Sequence, residues 1–217
     1  MRRNRLLSVV IVAGVTVALL AGCSQGLTPA PQPAPDGFPT TPILDNFQRP
    51  DENPLSDGGK WSSLFTTNLE LVSHQALSNS GSSAGNYWNP TTFTDLEVYA
   101  QVTVPPMKNA IAVQAWDLSS GDGYGCSWAP STNSFYIVRY DTGVEHAVES
   151  VVQTLSAGDS IGLSRMGSTF TCYQEHGGIW NAVVAATDAT YGGPFNLTLE
   201  VEDGVGEFGY FGGGALQ

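Results

Sequence analysis

Phe93-Thr-Asp-Leu-Glu-Val-Tyr-Ala-Gln-Val-Thr-Val104 is the stretch that decides the fold class. Leu96, Val98, Ala100, Val102 and Val104 share one parity, and Asp95, Glu97, Tyr99, Gln101 and Thr103 share the other. Successive side chains of a strand point to opposite faces, so this period of two predicts a strand with one face on a core and a polar face in water. Asn196-Leu-Thr-Leu-Glu-Val-Glu202 alternates in the same way, with Leu197, Leu199 and Val201 inward. Further strands are expected over 43–47, 69–73, 110–118, 123–129, 134–140, 145–153, 160–166, 168–174, 179–185 and 206–211. Between many of them lie turn signals such as Ser120-Gly-Asp-Gly123, Asp141-Thr-Gly143, Ala157-Gly-Asp159 and Met166-Gly-Ser168. The glycines supply the backbone freedom of tight turns. No convincing amphipathic helix interrupts the pattern. The expected architecture is all-β, a two-sheet antiparallel sandwich over residues 43–217. About 175 residues can bury roughly 70% of their extended surface, enough for one core.

Composition agrees. Gly (25) and Pro (13) are abundant while charged residues make up only 13%, which disfavours long surface helices. Three of the eight basic residues sit in the first five positions, and every acidic residue lies from Asp36 onward. Beyond the leader this leaves five cations against twenty anions, a formal charge of −15. Such a domain repels phosphate backbones, which excludes nucleic-acid binding by a basic patch and disfavours adsorption to anionic lipid. Neutral ligands such as sugars, and cations, remain compatible with it.

The N-terminus reads as an export signal. Arg2, Arg3 and Arg5 precede an apolar run from Leu6 to Leu20, too short for a membrane span and right for a secretory core. It ends in Leu20-Ala21-Gly22-Cys23, which resembles the lipobox of bacterial lipoproteins. That resemblance implies a signal peptide over 1–22 and acylation of Cys23. Several acyl chains on one Cys anchor firmly, at about 0.8 kcal/mol per buried CH₂. The expected location is the cell envelope, on the extracytoplasmic face of a bacterial membrane. Residues 23–42 are rich in Pro without apolar period and are expected to form a semi-extended spacer.

A second resemblance concerns the domain. Ile43-Leu-Asp-Asn-Phe47, Trp61, Leu69-Glu-Leu-Val-Ser73, Phe93 to Tyr99, Gly158-Asp-Ser-Ile-Gly-Leu163 and Phe208-Gly-Tyr-Phe-Gly-Gly213 follow one another in an order similar to concanavalin A-like lectin/glucanase domains. The likeness is greatest to the laminin-G-like jelly rolls of bacterial surface proteins. It implies a jelly roll whose first and last strands pair, and it transfers no activity, because the fold hosts lectins, hydrolases and adhesion modules.

Several residue sets could carry chemistry. Asp95 and Glu97 occupy positions i and i+2 of one strand, about 7 Å apart and within glycosidase reach. The glucanase pattern resembles Glu-x-Asp-x-x-Glu, however, and Phe93 and Ala100 stand where two of its carboxylates belong. A solvated strand face is the plainer reading. His74, His146 and His176 show no zinc-hydrolase spacing, and no Gly-x-Ser-x-Gly elbow is present. Asp117 and Asp122 lie in an oxygen-rich Gly turn of the kind that can hold Ca²⁺, although Asp-Gly pairs mostly just make turns. A pyranose packs its C–H face on an aromatic ring beside amide or carboxylate groups. Tyr87, Trp88, Trp116, Asp117 and Trp128 are therefore the candidate ligand residues, against the ordinary role of Trp as core. Cys126 and Cys172 suggest one disulfide in an oxidising compartment, the alternative being two separately buried thiols. The leading expectation is a non-catalytic, membrane-anchored module for carbohydrate or a surface polymer. The alternatives are a glycan hydrolase with an atypical Asp95/Glu97 pair and a protein-binding surface or adhesion protein.

Overall fold

The computed structural model describes residues 32–33, 37–78, 82–89, 91–202 and 205–216. The leader, Cys23 and most of the Pro-rich stretch lie outside the described residues. Among those described, every regular element is a strand, and the strands form two antiparallel sheets. The first sheet runs β1 (Gln32–Pro33), β14 (Ile179–Thr187), β13 (Thr169–His176), β12 (Ser160–Met166), β7 (Leu96–Val104), β16 (Glu207–Ala215), β5 (Gln75–Leu77) and β4 (Glu70–Val72). A ninth strand, β2 (Ile43–Asp45), also pairs with β16. The second sheet runs β11 (Val144–Val152), β10 (Ser134–Asp141), β9 (Asp122–Ala129), β8 (Ile111–Asp117), β15 (Asn196–Val201), β6 (Ala84–Trp88) and β3 (Trp61–Ser63). This is the expected two-sheet jelly-roll sandwich, and its first and last domain strands pair as the family resemblance implies.

The apolar parity of each strand makes the core. Leu96, Val98, Ala100 and Val102 of β7 and Ile161 and Leu163 of β12 meet Ile111, Val113 and Ala115 of β8 and Leu197, Leu199 and Val201 of β15 in one cluster. All of them are fully buried. Each such Leu, Ile or Val contributes about 1.5–3 kcal/mol relative to an exposed position. Cys126 of β9 and Cys172 of β13 both point inward and are disulfide-bonded, with Cα atoms 5.3 Å apart, which links the two sheets through the core.

Two expectations change. The polar parity of β7 is not a solvated face: Glu97 is 2% exposed and Tyr99 4%. Its cover is the chain just before β2. The spacer was expected to run to Pro42, yet from Phe38 onward it packs on the sheet, with Phe38 in an aromatic cluster with Tyr99 and Tyr173. Phe38 has only this outer face on which to leave water, because the inner cluster is already filled by strand residues. The expected strand over 69–73 is shortened to β4, since Ser73 and His74 take positive φ (50° and 66°) and turn the chain into β5, a strand not among those expected.

Candidate functional site

The outer face of the seven-stranded sheet gathers the polar and aromatic residues that the alternation leaves out of the core. Antiparallel pairing places directly opposed residues on one face. One row across the sheet therefore reads Asn196, Trp116, Gly123, Tyr140. The next reads Ser62, Tyr87, Thr198, Gln114, Gly125, Val138. A third reads Gly85, Glu200, Ala112, Ser127, Tyr136.

Glycines shape this face. Gly123 stands between Trp116 and Tyr140, so the two rings meet at 4.5 Å between centroids. Phe65, from the loop after β3, leans over Gly85, where a Cβ would fall 2.9 Å from its ring, and reaches Trp116 edge-on at 6.2 Å. Around these buried rings Tyr87, Tyr136 and Phe65 stay partly exposed.

Between the aromatics runs a polar network. The Gln114 amide donates to the Tyr140 hydroxyl at 2.9 Å and to Glu200, while its carbonyl oxygen accepts from the Thr198 hydroxyl at 2.8 Å. Burial pushes the Tyr140 phenol well above its ordinary pKa, and the nearby Glu200, Glu145 and Glu202 charges push the same way. It stays protonated at neutral pH. The outer positions of β8, β9 and β10 (Ala112, Gln114, Trp116; Gly123, Gly125, Ser127; Ser134, Tyr136, Val138, Tyr140) carry no carboxylate. Carboxylates stand at the margins of this face: Glu200 on β15, Glu202 just beyond its end, and Glu145 opposite Tyr140 on β11. Gln114 and Thr198 are fully buried, so what this face offers a ligand is the partly exposed rings of Tyr87, Tyr136 and Phe65.

The expected ligand residues divide. Tyr87 and Trp116 lie on this face. Trp88 and Trp128 have the opposite parity and point into the core. Trp88 packs edge-on against Trp61 at 5.2 Å, and the Trp128 indole donates to the Gln153 carbonyl at 3.0 Å. Asp117 and Asp122 face each other at the end of the β8–β9 hairpin. Asp117 accepts from the Ser119 amide and hydroxyl, and Asp122 from the Thr142 amide, so both tie down local turns. Among the described residues no group of three or more His, Cys, Asp and Glu is gathered that could hold a metal ion.

Asp95 and Glu97 lie on the other sheet. Asp95 accepts from the Gly167 amide at 2.7 Å, and Glu97 is engaged by Thr40 and Thr41. Sequence reasoning missed Tyr136, Tyr140, Gln114, Thr198 and Glu200. The available signal was parity, since Gln114 shares the parity of Trp116, and Tyr136 that of Tyr140.

The fold is similar to the carbohydrate-binding module CBM66 from Bacillus subtilis, with TM-score 0.59 and 13% identity over 71% of this chain and 95% of that one. It is similar to a Bacillus licheniformis β-glucanase (TM-score 0.60, 10% identity, 82% and 98% covered). It also resembles the exoplasmic/lumenal domain of VIP36 in a Ca²⁺/Man3GlcNAc-bound form (TM-score 0.55, 9% identity, 76% and 88% covered). No protein-family model and no curated relative matches the sequence. At these identities the likeness defines the class of fold, a concanavalin A-like β-sandwich, and leaves function to the residues.

Proposed function

We propose that the protein is a non-catalytic carbohydrate-binding module, held by lipid on Cys23 at the extracytoplasmic face of a bacterial membrane. The observation that carries the binding half is the outer face of the seven-stranded sheet. It sets Trp116, Tyr140, Tyr87 and Tyr136 around the Gln114–Thr198–Glu200 network, with no carboxylate on the outer positions of β8, β9 and β10. A sugar would lay its apolar C–H face on the partly exposed Tyr87 and Tyr136 rings, with the buried Gln114–Thr198–Glu200 network holding the sheet face beneath them. The lectin, binding module and glucanase of similar fold support a glycan ligand. The lipobox-like Leu20-Ala-Gly-Cys23 and the charge of −15 beyond the leader support an anchor made by lipid rather than by adsorption.

The test is a glycan array probed with the full chain in detergent, with Ca²⁺ and with chelator, followed by product analysis of each hit. Intact glycan should be retained, and Tyr87→Ala or Tyr136→Ala should weaken binding by about tenfold, the loss of one stacking ring. A difference between Ca²⁺ and chelator would assign an ion to the Asp117–Asp122 turn. Cleaved product would overturn the non-catalytic reading, and a blank array would overturn the glycan. For the anchor, mass spectrometry of the detergent-extracted protein should find acyl chains on an N-terminal Cys23, and Cys23→Ser should abolish them; an unacylated Cys23 would refute lipidation.

A further inference from the structure

We infer that the outer face of the nine-stranded sheet holds a second binding site, a cavity of about 740 Å³ that takes a small molecule bearing a primary ammonium group on a short carbon stem. That volume lies within the range of small-ligand pockets. The site exists because residues 37–42 bridge the sheet. Phe38 stacks on Tyr173 at 3.8 Å between centroids, seated above Gly162, and the Tyr99 hydroxyl donates to the Thr41 carbonyl at 2.7 Å. Below this bridge the cavity is lined by Thr41, Leu44, Phe93, Glu97, Ser164 and Met166, among others.

Glu97 gives the cavity its chemistry. The residue is 98% buried, and its Oε2 takes four hydrogen bonds, from the amide and hydroxyl of Thr40 and of Thr41, at 2.7–3.2 Å. Its Oε1 accepts none among the described residues. Nor is Oε1 one of the sealed atoms without a partner, which are Thr103 Oγ1 and Arg165 Nε, so it remains open to the cavity that Glu97 lines. No Lys, Arg or His lines the space. The adjacent guanidinium, Arg165, has the opposite parity on β12; it donates to the Thr94 carbonyl and lies against the Phe170 and Phe195 rings.

A carboxylate withdrawn from water without a cation is costly, and an incoming cation relieves that cost. A primary ammonium supplies both the charge and an N–H for Oε1. A quaternary ammonium supplies only charge, and a hydroxyl only the hydrogen bond. Phe93, Leu44 and Met166 offer the stem an apolar wall, and the acidic domain draws cations toward it. An alkylamine and an amino sugar share this chemistry.

The experiment titrates the full chain in detergent with n-butylammonium and with glucosamine, and with butanol and glucose as their neutral counterparts. The amines should bind at least about tenfold more tightly than the neutral compounds, the strength of one charge-assisted contact. Glu97→Gln keeps an oxygen for the Thr40 and Thr41 donors, and its unfolding midpoint checks the fold; it should abolish the preference. Ser164→Leu, at the residue paired with Glu97 across β7 and β12, fills the cavity while keeping the carboxylate and should block the amines. Tyr87→Ala, on the opposite sheet, should leave amine binding unchanged, which separates this site from the proposed glycan face. Of the two arms, glucosamine alone binding would assign an amino sugar, and butylammonium binding as well would assign the ammonium group itself. Equal affinity for amine and neutral compound, amine binding that survives both cavity variants, or no saturable binding up to ~10 mM, where even weak ligands register, would overturn the site.

Discussion

Gly162→Ala should release the segment that bridges the nine-stranded sheet, and a double-mutant cycle with Phe38→Ala isolates the reason. A Cβ on Gly162 would lie 2.6 Å from Cζ and 2.9 Å from Cε1 of Phe38, so the ring must leave its place. What it leaves is stacking on Tyr173 at 3.8 Å and 12° and an edge contact with Trp180 at 4.9 Å. Truncating Phe38 removes about 100 Å² of apolar contact, or about 2.5 kcal/mol at about 25 cal/mol per Å². Lost ring pairing adds about 0.5–1.5 kcal/mol, for about 3–4 in all. Gly162→Ala alone should forfeit most of the same contacts. With Phe38 already truncated only the Trp180 ring, 3.2 Å from the added Cβ, has to give by a few tenths of an ångström; adding Gly162→Ala should then cost about 0.5–1 kcal/mol, leaving a coupling of about 2–3 kcal/mol. Amide exchange at Thr40 and Thr41, whose N–H groups donate to Glu97 at 2.7 and 3.2 Å, reads the release directly. A loss of about 3 kcal/mol corresponds to exchange about 100-fold faster. Strictly additive single-site losses, or Thr40 and Thr41 amides as protected in Gly162→Ala as in the parent, would refute the seating of Phe38 on Gly162.

Replacing Cys126 and Cys172 together by Ala should cost about 4 kcal/mol by chain-entropy scaling for a loop of this length, since the cysteines are 46 positions apart. An unfolding midpoint unchanged from the parent under oxidising conditions would refute it. Acid should also weaken the fold at one identifiable place. Burial acts to raise the Asp188 pKa, but hydrogen bonds from Thr190, Arg139 and Tyr124 outweigh it and hold the group at about 2; Asp141, chiefly through its hydrogen bond to Arg139, also lies at about 2. A carboxyl group whose pKa is lower in the folded chain contributes stability above the ordinary carboxylate range. That contribution disappears as pH falls from about 4 to about 2. Denaturant midpoints across that interval should fall, and Asp188→Asn should flatten the decline; an equal decline in the variant would refute the assignment.

What the amino-acid order could and could not disclose follows from the range of each signal. Alternation in β7 and β15 is local, and burial of one parity is enough to make a strand, so Leu96 through Val102 and Leu197 through Val201 were readable as core. Parity does not say what covers the other face. Phe38 sits in a Pro-rich stretch without period, and its seat is built by Tyr99, Gly162 and Tyr173 from three strands. The candidate glycan face was half readable for the same reason. Tyr87 and Trp88 are adjacent, a strand must send them to opposite sides, and only the pairing of β6 with β15 decides which goes out. The Gln114–Thr198 bond joins residues 84 positions apart and exists only because β15 inserts between β6 and β8.

The two outer faces are made by one device put to opposite ends. On each, a strand glycine leaves a gap that an aromatic side chain from an irregular segment fills: Phe38 over Gly162 on one sheet, Phe65 over Gly85 on the other. On the nine-stranded sheet the incoming segment also brings Thr40 and Thr41, whose four donors consume one oxygen of Glu97 and close a cavity over the second. On the seven-stranded sheet Phe65 stops beside Trp116, and Tyr87 and Tyr136 keep exposed surface. A covered face with an open carboxylate oxygen suits the proposed small cation, and partly exposed tyrosine rings suit the proposed neutral ligand. The two proposed sites are compatible on one sandwich, because the core separates them and neither needs the other's residues.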